Sequence, residues 1–395
     1  MRDRAPIDRA SLQQVLAPLG ESVTLPGPAY TSEEVFTWEM AWFFEESWVS
    51  VGRSSDPASP GDQTTATVGS QGILLTRDEH GKLHAFFNVC RHRGHELLQH
   101  GESASGRTVQ CPYHAWVYDL DGRLRGAPGM PGLDPGEHSL TPVRATEWHG
   151  FVFVNASGDA PDLAEHVGNL DALVADHEPA RLVQGAAIDY DVRANWKLVQ
   201  ENYQECYHCS NIHPELCAVT PPESGVDYGP TGAWVGGSMD LRPHAQTMSL
   251  SGESGASPLP GLDEKMRRRV LYFGLFPNLL ISLHPDYVLT HRLVPLAPDR
   301  TIIECKWFFA PEEVERDDFD PAYAVEFWDL TNRQDWNAIE SVQRGVSSRG
   351  YRQGRLSHRE DGVRQFDTIV AQGYLTGRAH PPLRDGALAD ASLGS

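Results

Sequence analysis

The chain has 395 residues, 40% of them hydrophobic and 22% charged, which allows two or three packed domains and lies outside the range of disordered chains. Acidic residues outnumber basic ones 54 to 33, a net charge of -21, which repels polyanions and argues against a nucleic-acid binder. The longest apolar stretch, 270–283, is too short for a bilayer and is broken by Pro277 and Asn278, while the charged start (Arg2, Asp3, Arg4) has no apolar segment behind it, so the expectation is a cytoplasmic protein with no membrane partner.

In chain order, Thr31 and Glu34 have capping-box spacing, and the aromatic stretch 35–48 after them reads as a helix. Short β-like runs follow at 73–76, 83–87 and 150–154, punctuated by Gly, Asp and Pro, as in a small all-β domain. Residues 163–183 read as helix. Strands are expected at 187–192, 279–283, 287–294 and 301–309, with His284, Pro285 and Asp286 as a turn, alternating with helices. Asp320 and Pro321 open a further helix ending near Gly345. The expected fold is α+β: an N-terminal helical segment 1–46, an all-β domain 47–160, an α+β domain 161–380 and a mobile tail 381–395.

Two clusters carry chemistry. Cys90 and His92 form C-x-H, and Cys111 and His114 form C-x-x-H. Two loops, each offering one thiolate and one imidazole, supply the ligand set of a Rieske 2Fe-2S centre, whose neutral imidazoles raise the potential. A structural zinc site usually places both cysteines before both histidines, whereas here they interleave. His95 and His100 read as structural or surface histidines. In NWKLVQENYQECYHCSNIHPEL, residues 195–216, Glu201, Glu205 and His208 fall on one helical face, and His213 lies just past it before Pro214. Two imidazoles and one carboxylate make a facial site for a mononuclear Fe(II) that binds O2. The carboxylate chosen is Asp335, in FWDLTNRQDWNAIE, with Asp329 and Glu340 as competitors that sequence separates poorly. Cys206 and Cys209 form a C-x-x-C without a second pair, and read as buried thiols rather than zinc ligands.

On these two motifs the chain resembles the large (α) subunits of Rieske non-haem iron oxygenases, from the aromatic helix near Trp38 to the helix carrying Asp335. The resemblance implies a Rieske domain inserted into a helix-grip catalytic domain and a homotrimer in which one subunit's cluster feeds the next subunit's iron. It implies Cys90, His92, Cys111 and His114 as cluster ligands and His208, His213 and Asp335 as iron ligands. Most ring-hydroxylating members bridge the two centres with an Asp, where this sequence has Glu205. The form E-N-Y-x-E-C-Y-H-C-x-x-x-H-P, with T-N-x-Q-D-W later, is similar to the branch that oxidises glycine betaine, choline, carnitine and proline betaine. It places Asn202 and Glu205 in the catalytic set.

No G-x-G-x-x-G fingerprint or plant-type ferredoxin pattern is present, so a separate flavin and iron-sulfur reductase is expected to deliver electrons from NAD(P)H. The expected reaction is monooxygenation of an N-methyl group with loss of formaldehyde. Hydroxylation of an aromatic ring or another neutral apolar substrate is the alternative on the same fold, and an electron carrier with an idle second site is a third reading. A quaternary ammonium group cannot donate a hydrogen bond, so aromatic faces should recognise it. Tyr203, Trp234 and Phe276, with Tyr207 and Trp307, are the candidates.

Overall fold

The computed structural model describes residues 4–382; the expected tail lies, from 383 on, outside them. The chain forms two compact units: Glu39–Leu163, and a larger one built from the chain up to Trp38 and from Ala164 onward.

The smaller unit is a seven-stranded antiparallel sheet with a three-stranded sheet of Thr108–Gln110, Val117–Asp119 and Leu124–Gly126. Its strands are ordered Val49–Arg53, Phe151–Asn155, Pro142–Trp148, Leu83–Phe87, Gln71–Arg77, Asp62–Val68 and Ser103–Ser105. The aromatic helix is two pieces, an α-helix Glu33–Glu39 and a π-helical turn Met40–Glu45. The Glu45 carboxylate accepts the Ser70 N–H and hydroxyl, and its carbonyl accepts the Ser157 N–H. These bonds tie the π turn to the smaller unit, whose compact body runs from Glu39.

The helix expected over 163–183 is broken into Leu163–Val167, Leu170–Ala175 and a 3-10 turn Pro179–Arg181. Gly168 explains the break: at φ +52 its backbone lies against Thr231 and Gly232, where a Cβ would collide.

The larger unit is built on a second seven-stranded antiparallel sheet, ordered Val183–Val192, Arg300–Phe309, Val288–Ala297, Leu279–Leu283, Arg269–Leu275, Trp234–Asp240 and Val226–Asp227. The four strands from Arg269 to Phe309 follow one another as a meander, without the helices expected between strands. The apolar run 270–283 is two of these strands, reversing at Phe276, Pro277 and Asn278, where Asn278 exchanges backbone and side-chain bonds with Leu293. Helices Trp196–Tyr203, Ala322–Val346 and Asp361–Thr376 complete the unit. The last escaped the sequence reading because it is buried nearly all round, Asp367 and Thr368 as fully as Ile369 and Val370, so no amphipathic stripe marks it. The whole is α+β, and no helix among the described residues is long and apolar enough to cross a membrane.

Candidate metal centres and active-site cavity

In the smaller unit the two Cys-His loops are versions of one turn. The Gly94 N–H bonds to the Cys90 carbonyl and the Ala115 N–H to the Cys111 carbonyl, closing each loop as a five-residue turn. Both closing residues are left-handed, at φ +74 and +56. Glycine takes that conformation freely and alanine at a cost. Cys90 and Cys111 are buried, whereas His92 and His114 are half-buried with ring centroids 4.6 Å apart. Trp116 stacks on His92 at 4.9 Å and Tyr113 lies 3.7 Å from His114. The Tyr118 hydroxyl lies 3.3 Å from the Cys90 sulfur and accepts the Arg91 N–H. His92 Nδ1 is a buried nitrogen with no hydrogen-bond partner. Two thiols and two imidazoles with an orphaned ring nitrogen fit a 2Fe-2S cluster of mixed ligation. His95 and His100 are exposed.

In the larger unit, the helix Trp196–Tyr203 is capped by Asn195, whose side chain accepts the Lys197 N–H, and it stops at Tyr203. Glu201, Glu205 and His208 therefore do not share one helical face. The Glu205 carboxylate folds back onto the N–H groups of Tyr207 and His208, opening a new short helix, Cys209–Ile212. Cys206 and Cys209 are a disulfide pair, with Cα atoms 4.9 Å apart, rather than two buried thiols. Cys206 is in fact half-buried. His213 sits between this helix and Pro214–Val219 at φ -121, ψ 69, outside the helical region that a following proline disfavours.

Asp335 meets these histidines from the middle of Ala322–Val346. Its Oδ1 is 2.9 Å from His213 Nε2 and 3.4 Å from His208 Nε2, and the two Nε2 atoms are 3.2 Å apart. The competing carboxylates are engaged elsewhere: Asp329 pairs with Arg333 and accepts the Tyr190 hydroxyl, and Glu340 accepts the Arg193 N–H. The outer nitrogens are held too, His208 Nδ1 by Glu205 Oε1 at 2.5 Å and His213 Nδ1 by Gln334 Oε1 at 2.7 Å. Burial disfavours a charged His208, but hydrogen bonds to Asp335 and Glu205 outweigh it and lift the imidazolium to about 10. Asp335 is held below the usual carboxylate range because the two histidines overcome its burial. The ligand atoms of His208, His213 and Asp335 all lie within 4.8 Å of one another, and two imidazoles with one carboxylate fit Fe(II).

The three donors line a cavity of about 560 Å³, within the range of small-molecule sites. Asn202, Tyr203, Glu205 and Tyr207 line it as well, Tyr207 at the exposed rim. Three other aromatic candidates do not. Trp234 packs on Phe273 and Phe276 on Trp196, and with Trp307 they are buried in the core. The cavity takes Tyr272 and Trp328 instead, with Tyr272 at 6.0 Å from Tyr203 and 6.3 Å from Trp328 between ring centroids. Trp328 had a readable signal: it precedes Asp335 by two helical turns and shares its face. The Tyr203 hydroxyl bonds Ser282 and the Trp328 N–H bonds Tyr287, whereas the buried Tyr272 hydroxyl has no partner. Gly236 and Gly237 form one wall; a Cβ at Gly237 would strike the Val226 carbonyl.

Residues 47–139 match the Rieske [2Fe-2S] domain family and residues 179–375 the catalytic domain of ring-hydroxylating alpha subunits. The glycine betaine monooxygenase oxygenase subunit of Chromohalobacter salexigens is 32% identical, over 88% of this chain and 86% of its own. The chain is a Rieske oxygenase alpha subunit. Its smaller unit carries the 2Fe-2S cluster of that family and its larger unit the mononuclear iron site. The carnitine monooxygenase oxygenase subunit of Escherichia coli K12 is 31% identical, over 90% of this chain and 94% of its own. The crystal structure of the quaternary ammonium Rieske monooxygenase CntA with an inhibitor superimposes on this oxygenase with a TM-score of 0.79 and 28% identity, covering 94% of this chain and 99% of CntA.

Proposed function

We propose that this oxygenase hydroxylates an N-methyl carbon of a small quaternary ammonium compound of the betaine, choline or carnitine type, releasing formaldehyde. The observation that carries the reading is the convergence of His208, His213 and Asp335 on the wall of a cavity that also presents the rings of Tyr203, Tyr272 and Trp328. In this reading His208, His213 and Asp335 hold the iron, and Cys90, His92, Cys111 and His114 hold the cluster. Bound there, the ferrous ion supplies the place where O2 is reduced.

The chain's residues do the rest. The aromatic faces hold the cationic head group, an attraction worth about 0.5–2 kcal/mol for each well-placed ring. Glu223 and Asp227, also lining the cavity, add negative potential. Glu205 fixes the His208 ring with Nε2 turned inward, and Asn202 lines the same cavity. Two electrons and two protons with O2 place one oxygen atom in a C–H bond and release the other as water. The resulting N-hydroxymethyl ammonium breaks its C–N bond, expelling formaldehyde and a proton and leaving a tertiary amine. The electrons come from a separate flavin and iron-sulfur reductase that draws on NAD(P)H, with the oxygenase working as a cytoplasmic homotrimer.

The test is O2 uptake and formaldehyde release by the iron-loaded protein, with a surrogate reductase and NADH, against glycine betaine, choline, carnitine and simple arenes. One formaldehyde per O2 with a quaternary amine is the expected result. Turnover with an arene alone would overturn the reading.

A further inference from the structure

We propose that Gln334 and Glu215 are positioning residues that select the metal-binding tautomer of His213. The proposal rests on the reading that His208, His213 and Asp335 hold the iron. His213 is 1% exposed, so no solvent decides which of its nitrogens carries the proton. Its Nε2 faces Asp335 and His208, and must present a lone pair there to bind a cation. The proton then belongs on Nδ1, which needs an acceptor, and Gln334 Oε1 stands at 2.7 Å.

A glutamine alone does not settle the matter, because its amide can present oxygen or NH2. An NH2 turned toward Nδ1 would demand the Nε2–H tautomer and place a hydrogen where the metal belongs. Glu215 removes that choice. Its carboxylate, which can only accept, takes the Gln334 NH2 at 3.2 Å and so keeps Oε1 on His213. The arrangement is reciprocal along the chain. Asp335 and Gln334 are consecutive, and both meet His213; Glu215 opens the helix Pro214–Val219 just after His213 and returns to Gln334. One helix turn thus delivers one ligand and the group that orients another.

The test measures Co(II) affinity of the metal-free site by equilibrium dialysis, with the cluster kept oxidised and EPR-silent, alongside the Co(II) EPR signal and thermal unfolding. The variants are Gln334→Leu, Gln334→Glu, Glu215→Leu and, as reference, Asp335→Ala. Gln334→Leu should weaken Co(II) binding about 10- to 100-fold and alter the EPR signal. Gln334→Glu, which keeps an acceptor at Nδ1, should recover most of that loss, and Glu215→Leu, which frees the amide to turn over, should cost a smaller factor. A Gln334→Leu protein with lowered melting temperature but unchanged Co(II) affinity and EPR signal would mean a structural role only and overturn the proposal. If Gln334→Leu does not fold, Glu215→Leu decides it: unchanged Co(II) affinity overturns the proposal, weakened affinity with unchanged melting temperature supports it. Unchanged Co(II) binding in Asp335→Ala would overturn the iron-site reading itself, and this inference with it.

Discussion

The two metal-binding regions are built in opposite ways. In the smaller unit, two short stretches of sequence each complete a turn that offers one buried thiol and one half-buried imidazole, with the buried ring of Trp116 against His92 and the exposed ring of Tyr113 against His114. In the larger unit, a broken helix and a distant long helix bring two imidazoles and a carboxylate together on a cavity wall, with His213 almost fully enclosed. A centre that passes electrons needs an accessible edge, and local turns suffice to hold it. A centre that holds O2 and a substrate needs an interior, and only tertiary packing makes one.

The largest expected effect separates the two directly. Native protein should hold about three iron atoms per chain, two in the cluster and one mononuclear. Cys111→Ser should remove the cluster's visible absorption and leave about one iron; Asp335→Ala should keep that absorption and leave about two. Both should abolish turnover. Loss of both centres in either variant would mean that the regions are not independently assembled.

Smaller effects should divide core from cavity within the larger unit. Trp234→Ala empties a fully buried position and should lower stability by about 3–5 kcal/mol, leaving ligand affinity of the folded fraction unchanged. Tyr203→Leu should instead weaken choline and tetramethylammonium alike, by about 2- to 30-fold in calorimetric titration. Tyr272→Phe keeps the ring and loses the unpartnered hydroxyl. It should weaken choline about 2- to 10-fold and leave tetramethylammonium, which has no oxygen, unaffected. Equal losses for both ligands would show that the hydroxyl does not meet the substrate's oxygen.

How much of this was legible follows from the same contrast. Cys90, His92, Cys111 and His114 are read from spacing alone, because the turns that hold them are local. His208 and His213 are readable for the same reason, and Pro214 even signals the kink between them. Asp335 was separable from Asp329 and Glu340 only by resemblance, since what distinguishes them is that Arg333, Tyr190 and the Arg193 N–H occupy the other two. The helix break after Tyr203 was invisible because Glu205 serves the backbone and a ligand at once, a role that helical periodicity does not encode. Tyr203 and Tyr207 do line the cavity, but Trp234 and Tyr272 could not be told apart by the same logic: both lie on strands buried on both faces, and which of them faces the cavity depends on register.

A third buried charge cluster, outside both centres, gives the most gradual effect. Glu201 and Asp367 lie close together in the larger unit, near Lys197, Tyr30 and Tyr351, and the Tyr30 hydroxyl donates to Glu201 at 2.8 Å. Burial lifts Glu201 to about 7 against the pull of Tyr30 and Lys197, and burial with the Glu201 charge lifts Asp367 further above the usual carboxylate range, with Glu360 adding to it. The folded state therefore keeps a proton that the unfolded chain releases at about 4.3. Stability from this pair is fully present below that pH and declines as pH rises through about 7, at no more than about 1.4 kcal/mol per pH unit for each proton held. Urea titrations between pH 5.5 and 8 should show the decline, and Asp367→Asn, which keeps the shape and removes one titrating group, should flatten it while leaving the iron content at three atoms per chain, about the native value. A decline of the same slope in Asp367→Asn would place its origin elsewhere, and loss of the mononuclear iron in that variant would tie this cluster to the site that the helix Trp196–Tyr203 leads into.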